Sequence, residues 1–145
     1  MNTRPNLGIR LSFTGAWYTS KIAHAGYKKV LMFRALANRG DLGCNYIDFV
    51  ALEPNTSIGL HRHGPHDTEI YVIVKGMGEM TIEDETLIVT TGDVVVNPPN
   101  GTHGLVNVGK TLLKLVVIDV PVVHDTTRKF KLACANNLCV PAEYD

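Results

Sequence analysis

The sequence predicts an all-β domain, an antiparallel sandwich or barrel. Runs rich in Val, Ile, Tyr and Phe recur about every eight to twelve residues, the spacing of a strand plus a turn. Gly, Pro, Asn and Asp stand between the runs, where a chain reverses. Apolar residues at helical spacing are scarce, and the gaps are shorter than the roughly dozen residues a crossover between parallel strands needs. That excludes a parallel α/β sheet.

In chain order, residues 1–28 are weakly patterned, carry Gly8, Gly15 and Gly26, and read as an N-terminal arm. Residues 30–36 are apolar enough for a strand or a short helix. Residues 46–52 are β-rich and bounded by Gly43 and Pro54. The β-branched run 70–74 stops at Lys75-Gly76, and 80–82 follows at once. Residues 86–89 come after the acidic turn Glu83-Asp84-Glu85. Residues 94–96 are closed by Asn97-Pro98-Pro99-Asn100-Gly101, a rigid turn that sets where the next strand begins. Residues 103–108 alternate, and 112–120 form the longest β run. One barrel over 29–121 accommodates these strands. Residues 122–145, which include His124, form a C-terminal segment, either a short helix or an extended tail.

At 145 residues the chain has the length of one domain with one core. Lys+Arg and Asp+Glu are both 14, so no positive excess points to nucleic acid or to anionic lipid. No apolar run reaches the roughly 18 residues of a membrane span, and no apolar signal-peptide segment follows Met1–Asn6. A soluble, cytoplasmic protein is expected. Three cysteines, Cys44, Cys134 and Cys139, argue against a secreted disulfide framework. Cys134 and Cys139 read as reduced thiols, with pairing or metal binding as the alternative.

Three of the six histidines fall in Leu60-His61-Arg62-His63-Gly64-Pro65-His66. In a strand, side chains two apart share a face, so His61 and His63 present two imidazoles together, half of a metal site. Glu69 opens the run 70–74, and His103 opens another strand. Tyr71 and Ile73 share parity with Glu69, and Leu105 and Asn107 with His103. Tyr71, Ile73 and Leu105 either line a cavity or fill the core, and Asn107 either faces the interior or stabilises a turn. His66 is either a loop residue or a proton-shuttling neighbour of the site, since imidazole titrates near neutral pH.

This set resembles the cupin superfamily. Its first motif, an HxH pair, a Glu and, after six more residues, a Gly, is filled by His61, His63, Glu69 and Gly76. Its second is filled in order and spacing by Gly92, Pro98, His103 and Asn107. There are three departures. Asn55 stands where the first motif opens with Gly, five residues rather than four separate His63 from Glu69, and Asn100 replaces an internal Gly. The longer spacing leaves two readings of Glu69: a ligand, or a carboxylate that caps the loop or binds His66. The resemblance implies an antiparallel double-stranded β-helix, or jelly-roll barrel, with a small single cupin domain holding one divalent metal through His61, His63, Glu69 and His103. Zinc is favoured, with Fe, Mn or Ni as alternatives.

The functional expectation is a metal-dependent enzyme. Four protein ligands leave an open coordination position, the mark of a catalytic rather than a structural ion, and a small polar metabolite is the expected partner. His66, Tyr71 and Asn107 are the candidate catalytic groups around it. Two alternatives stand beside this reading. One is the zinc cupin domain of a larger N–N bond-forming enzyme with a methionyl-tRNA-synthetase-like domain. The other is a non-catalytic ligand-binding or sensor module. The apolar residues Leu7, Ile9, Leu11, Phe13, Trp17 and Tyr18 make the arm a docking element, and similar cupins imply a homodimer in which it extends the partner's sheet; the alternative is an arm that folds back on its own barrel in a monomer.

Overall fold

Along the strand Leu113–Pro121, residues Leu113, Leu115, Val117 and Asp119 turn inward and are buried, while Lys114, Val116 and Ile118 between them are partly exposed. This period of two, repeated from strand to strand, sorts the side chains into one core between two sheets. The structure, a computed structural model, describes residues 9–37 and 43–122 and two short strands near the C-terminus. The strands are β1 (Thr19–Lys21), β2 (Val30–Ala37), β3 (Tyr46–Leu52), β4 (Ser57–Arg62), β5 (Asp67–Lys75), β6 (Met77–Ile82), β7 (Glu85–Thr90), β8 (Val94–Asn97), β9 (Thr102–Asn107), β10 (Leu113–Pro121), β11 (Cys134–Ala135) and β12 (Leu138–Cys139). Among the described residues there is no helix, and so none long and apolar enough to cross a membrane. Residues 30–36, left between strand and helix by their pattern, lie in the strand β2.

A six-stranded sheet, in the order β1-β2-β3-β10-β5-β8, faces a four-stranded sheet, β4-β9-β6-β7, and the neighbours are antiparallel throughout. This is the all-β jelly-roll barrel. Leu52, Tyr71, Ile73, Met80, Leu105, Leu113 and Leu115 fill the space between the sheets, each no more than 1% exposed. Ile73 and Leu105 are therefore core-filling residues, as one of their two readings had it.

The arm packs on its own barrel. Phe13 stacks on Phe49 with ring centroids 4.2 Å apart, and Tyr18 meets Phe33 edge-on, so the arm covers the outer face of the larger sheet. β1 then adds an edge to that sheet, with Thr19 opposite Met32 and Lys21 opposite Val30. Two residues later, Ala23 bridges Ile58 of β4 in parallel, which ties the arm to the smaller sheet as well. Ile9, Trp17, Ile22 and Tyr27 remain exposed. Leu7 and His124 lie outside the described residues. Cys134 and Cys139 are opposite one another in the β11–β12 register, their side chains lying outside the described part. Cys44 is buried and free.

Candidate metal centre

Four donor groups meet at one end of the barrel. His61 near the end of β4 is in register with His103 at the start of β9. His63 lies one residue beyond β4. Glu69, on the inner face of β5, reaches across from the opposite sheet. One ligand atom from each of the four lies within 4.8 Å of every other. His61 Nε2 and His63 Nε2 are 3.1 Å apart. Glu69 Oε1 is 3.2 Å from His103 Nε2, and Oε2 is 3.3 Å from His63 Nε2.

Three departures from the family pattern are absorbed locally. Asn55 and Asn100, standing where glycines are usual, both take φ near 61°, left-handed backbone that asparagine tolerates better than most side chains. The additional residue before Glu69 is taken up in the turn at Gly64–His66, and β5 begins at Asp67 with Glu69 turned inward. His66 does not compete for that carboxylate. It is exposed in the turn, where its carbonyl accepts from Val122 N (2.8 Å).

The hydrogen bonds around the rings fix their protonation pattern. His61 Nδ1 is 2.8 Å from the carbonyl of Gly59, which only accepts, so Nδ1 carries the proton. His63 Nδ1 likewise donates to Asp67 Oδ2 at 3.0 Å. In the neutral rings both Nε2 atoms are then bare, with lone pairs aimed at the common point beside Glu69. Bare lone pairs 3.1 Å apart repel unless a proton or a cation lies between them. Two of the three imidazoles thus have the outward brace that metal-binding histidines normally carry, and the donor set fits a divalent transition ion. His103 has no such brace among the described residues. Its Nδ1 is buried without a partner.

Electrostatics favour the ligating forms. Burial pushes the Glu69 carboxyl up, but His103, His63 and the Tyr46 hydroxyl outweigh it and hold the group at about 2. Tyr46 Oη donates to Glu69 Oε2 at 2.8 Å. Burial lowers His61 to about 4; the Gly59 carbonyl works against this, and His103 and His24 add to it. His61 therefore stays neutral well below physiological pH.

Of the three candidate catalytic groups, Tyr71 is nearest the centre. Its ring meets His103 edge-on at 5.5 Å, and its hydroxyl is raised by burial and by the charge of Glu69. Asn107 lies four residues further along β9. It donates to Leu52 O and Thr111 O and accepts from Gly109 N, so its amide is committed to the backbone, in keeping with the turn-stabilising reading. His66 is in the exposed turn.

Several neighbours were not singled out from sequence. Asp67 braces His63, Tyr46 braces Glu69, and His24 of the arm lies flat on His61. Arg34 makes a two-point ion pair with Asp48, Nε to Oδ1 at 2.6 Å and Nη2 to Oδ2 at 3.0 Å, with its guanidinium 4.0 Å over the Tyr46 ring. A cavity of about 220 Å³ opens beside Glu69, lined by Lys21 and His24 from the arm and by Arg34, Tyr46, Asp48 and Tyr71 from the large sheet.

The cupin domain family matches residues 48–119, the stretch that holds all four donor residues. The chain belongs to the cupin superfamily. This cupin is 37% identical over 67 residues to a mannose-1-phosphate guanylyltransferase of Sinorhizobium fredii, an alignment covering 46% of this chain and 13% of the other. It is 30% identical over 79 residues to the xanthan biosynthesis protein XanB of Xanthomonas campestris, covering 54% of this chain and 17% of the other. The cupin thus spans less than a fifth of the length of these two curated relatives. Among solved structures, a predicted oxalate decarboxylase from Thermotoga maritima superposes with a TM-score of 0.74 at 22% identity, over 79% of this chain and 100% of the other, a likeness of fold.

Proposed function

We propose that this cupin is a metal-dependent enzyme acting on a small polar metabolite, and that the metabolite is derived from a sugar. The observation that carries the first part is the convergence of two bare Nε2 atoms, a third imidazole and a carboxylate beside a cavity of mixed polar and apolar lining. His61, His63, Glu69 and His103 would hold the ion, zinc first and Fe, Mn or Ni as alternatives. Bound there, such an ion supplies Lewis-acid polarisation of a substrate oxygen.

The chain's own residues bind and orient. At about 220 Å³ the cavity is smaller than the ~300–1,000 Å³ typical of drug-sized ligands, which suits a small metabolite. Asp48 holds Arg34 by Nε and one Nη2 hydrogen, leaving the other guanidinium hydrogens for a polar or anionic substrate group. Lys21 adds a second cation from the arm. Tyr71 and Val117 supply an apolar wall that limits water. The sugar-derived class is supported by the two relatives, one named for mannose-1-phosphate and the other for xanthan biosynthesis. A homodimer is part of the proposal, supported by the exposed Ile9, Trp17 and Ile22 of the arm.

The test has two steps. Metal analysis of purified protein is expected to give one transition ion per chain, and absence of bound metal after reconstitution overturns the reading. Sugar phosphates, sugar acids and short hydroxy acids are then assayed for turnover with wild type and His103→Ala. Turnover lost in the variant supports the enzyme. Thermal stabilisation by these compounds without turnover favours the ligand-binding module instead.

A further inference from the structure

Between β1 and β2 the arm crosses β4 backbone against backbone. Gly59 N donates to Ala23 O at 3.0 Å, and Ser57 N donates to Tyr27 O at 3.0 Å. Tyr27 N donates to Ser57 Oγ at 2.6 Å. The crossing has no room for side chains. A Cβ on Gly26 would lie 2.2 Å from Ser57 O, and one on Gly59 would lie 2.0 Å from His24 O. To make the crossing, His24 and Ala25 adopt φ of 50° and 55°, left-handed backbone that side-chain-bearing residues rarely take. Strain of that kind persists where surrounding contacts over-determine it, and it gathers at functional sites.

The crossing delivers one side chain. The His24 ring lies flat on His61, with centroids 3.5 Å apart and planes 5° from parallel. It also fixes Gly59, whose carbonyl accepts the hydrogen bond from His61 Nδ1. The arm therefore holds one face of the His61 ring directly, and one nitrogen through Gly59, while Nε2 is left aimed at His63. His24 lies outside the set of four converging ligand atoms.

We propose that the arm is a working part of the metal centre, with His24 the positioning residue for His61, and that metal affinity is linked to arm docking. The proposal rests on His61, His63, Glu69 and His103 being the ligands. A ring held in its ligating orientation before the ion arrives loses less freedom on binding. Linkage is reciprocal, so the factor by which arm docking raises metal affinity is the factor by which metal favours the docked arm.

Zinc is titrated into metal-free wild type, His24→Ala and His24→Phe. His24→Ala is expected to weaken binding by about tenfold, the lower end for partners that orient a ligand. His24→Phe keeps a flat ring and is expected to recover most of the loss. Hydrogen exchange gives an independent readout on the wild type alone: zinc is expected to slow exchange at the amides of Gly26, Tyr27 and Gly59. Equal affinity in wild type and His24→Ala overturns the positioning role while leaving the ligand assignment standing. Arm amides that exchange at the same rate with and without zinc overturn the linkage. Wild type that takes up no zinc overturns both this proposal and the metal-centre reading.

Discussion

His103 and Asn107 face inward from the same strand, and alanine at each separates two kinds of role. His103→Ala removes one of three imidazoles, and a folded protein that purifies with little or no metal is expected. Stoichiometric metal by elemental analysis in this variant sinks the ligand assignment. Asn107→Ala strips partners from Leu52 O, Thr111 O and Gly109 N at a fully buried site, which costs about 1–3 kcal/mol of stability. Its denaturation midpoint is expected to drop while metal content stays unchanged, and a loss of metal would restore Asn107 to the site. Glu69 supplies a pH test on metal-free protein. Its folded value of about 2 lies below the ordinary 4.5, so it contributes stability that is present above about pH 4.5 and lost as the pH falls toward 2. Glu69→Gln is expected to lose less stability than wild type across that window in parallel acid denaturation curves. Equal slopes would show that the carboxylate is not held by the imidazoles.

β10 shows how far strands can be read from pattern and β4 shows where the reading fails. The run 112–120 is the longest β-rich stretch of the sequence, and the strand found, Leu113–Pro121, differs from it by one residue at each end. Residues 46–52 coincide with β3. β4 reads Ser-Ile-Gly-Leu-His-Arg, with too few apolar side chains for a period to register, and it was visible through its histidine alone. β1 has no apolar alternation at all, since its three residues are exposed and it is held by backbone pairing with β2. The site followed the same logic. His61, His63, Glu69 and His103 were legible because the motif spaces them, and they do converge. His24 and Tyr46 were not, because contacts made by chain crossing or across a sheet leave no spacing to read, and the local contact of Asp67 with His63 four residues before it depends on how the turn between β4 and β5 folds. Leu115, on the central strand β10 and fully buried, gives a measure of the packing. Leu115→Ala is expected to cost about 2–5 kcal/mol, read from denaturant midpoints, with the slope unchanged. A cost under about 1 kcal/mol would mean that the core collapses onto the gap.

For the whole molecule, metal and assembly are the two global observables. An ion at about a hundred times its dissociation constant adds about 2.7 kcal/mol, which for a domain of this size raises the melting temperature on the order of 5–10 °C. No shift with any of zinc, iron, manganese or nickel would contradict a site built into the fold. Light scattering is expected to give about 32 kDa, twice the 15.9 kDa chain, and a mass near 16 kDa rules out the dimer. The path of the arm bears on where such a unit can be cut. A gene fragment trimmed to 48–119, the stretch that matches the family, keeps every ligand but discards the arm, β2 and the first residues of β3. β3 becomes a bare edge, open to pairing with other chains, and Arg34 and His24 are gone. A designer grafting this centre into another protein therefore has to carry the residues from Thr19 onward. The portable module is larger than the stretch that matches the family, because the segment that lays His24 on His61 lies outside that stretch.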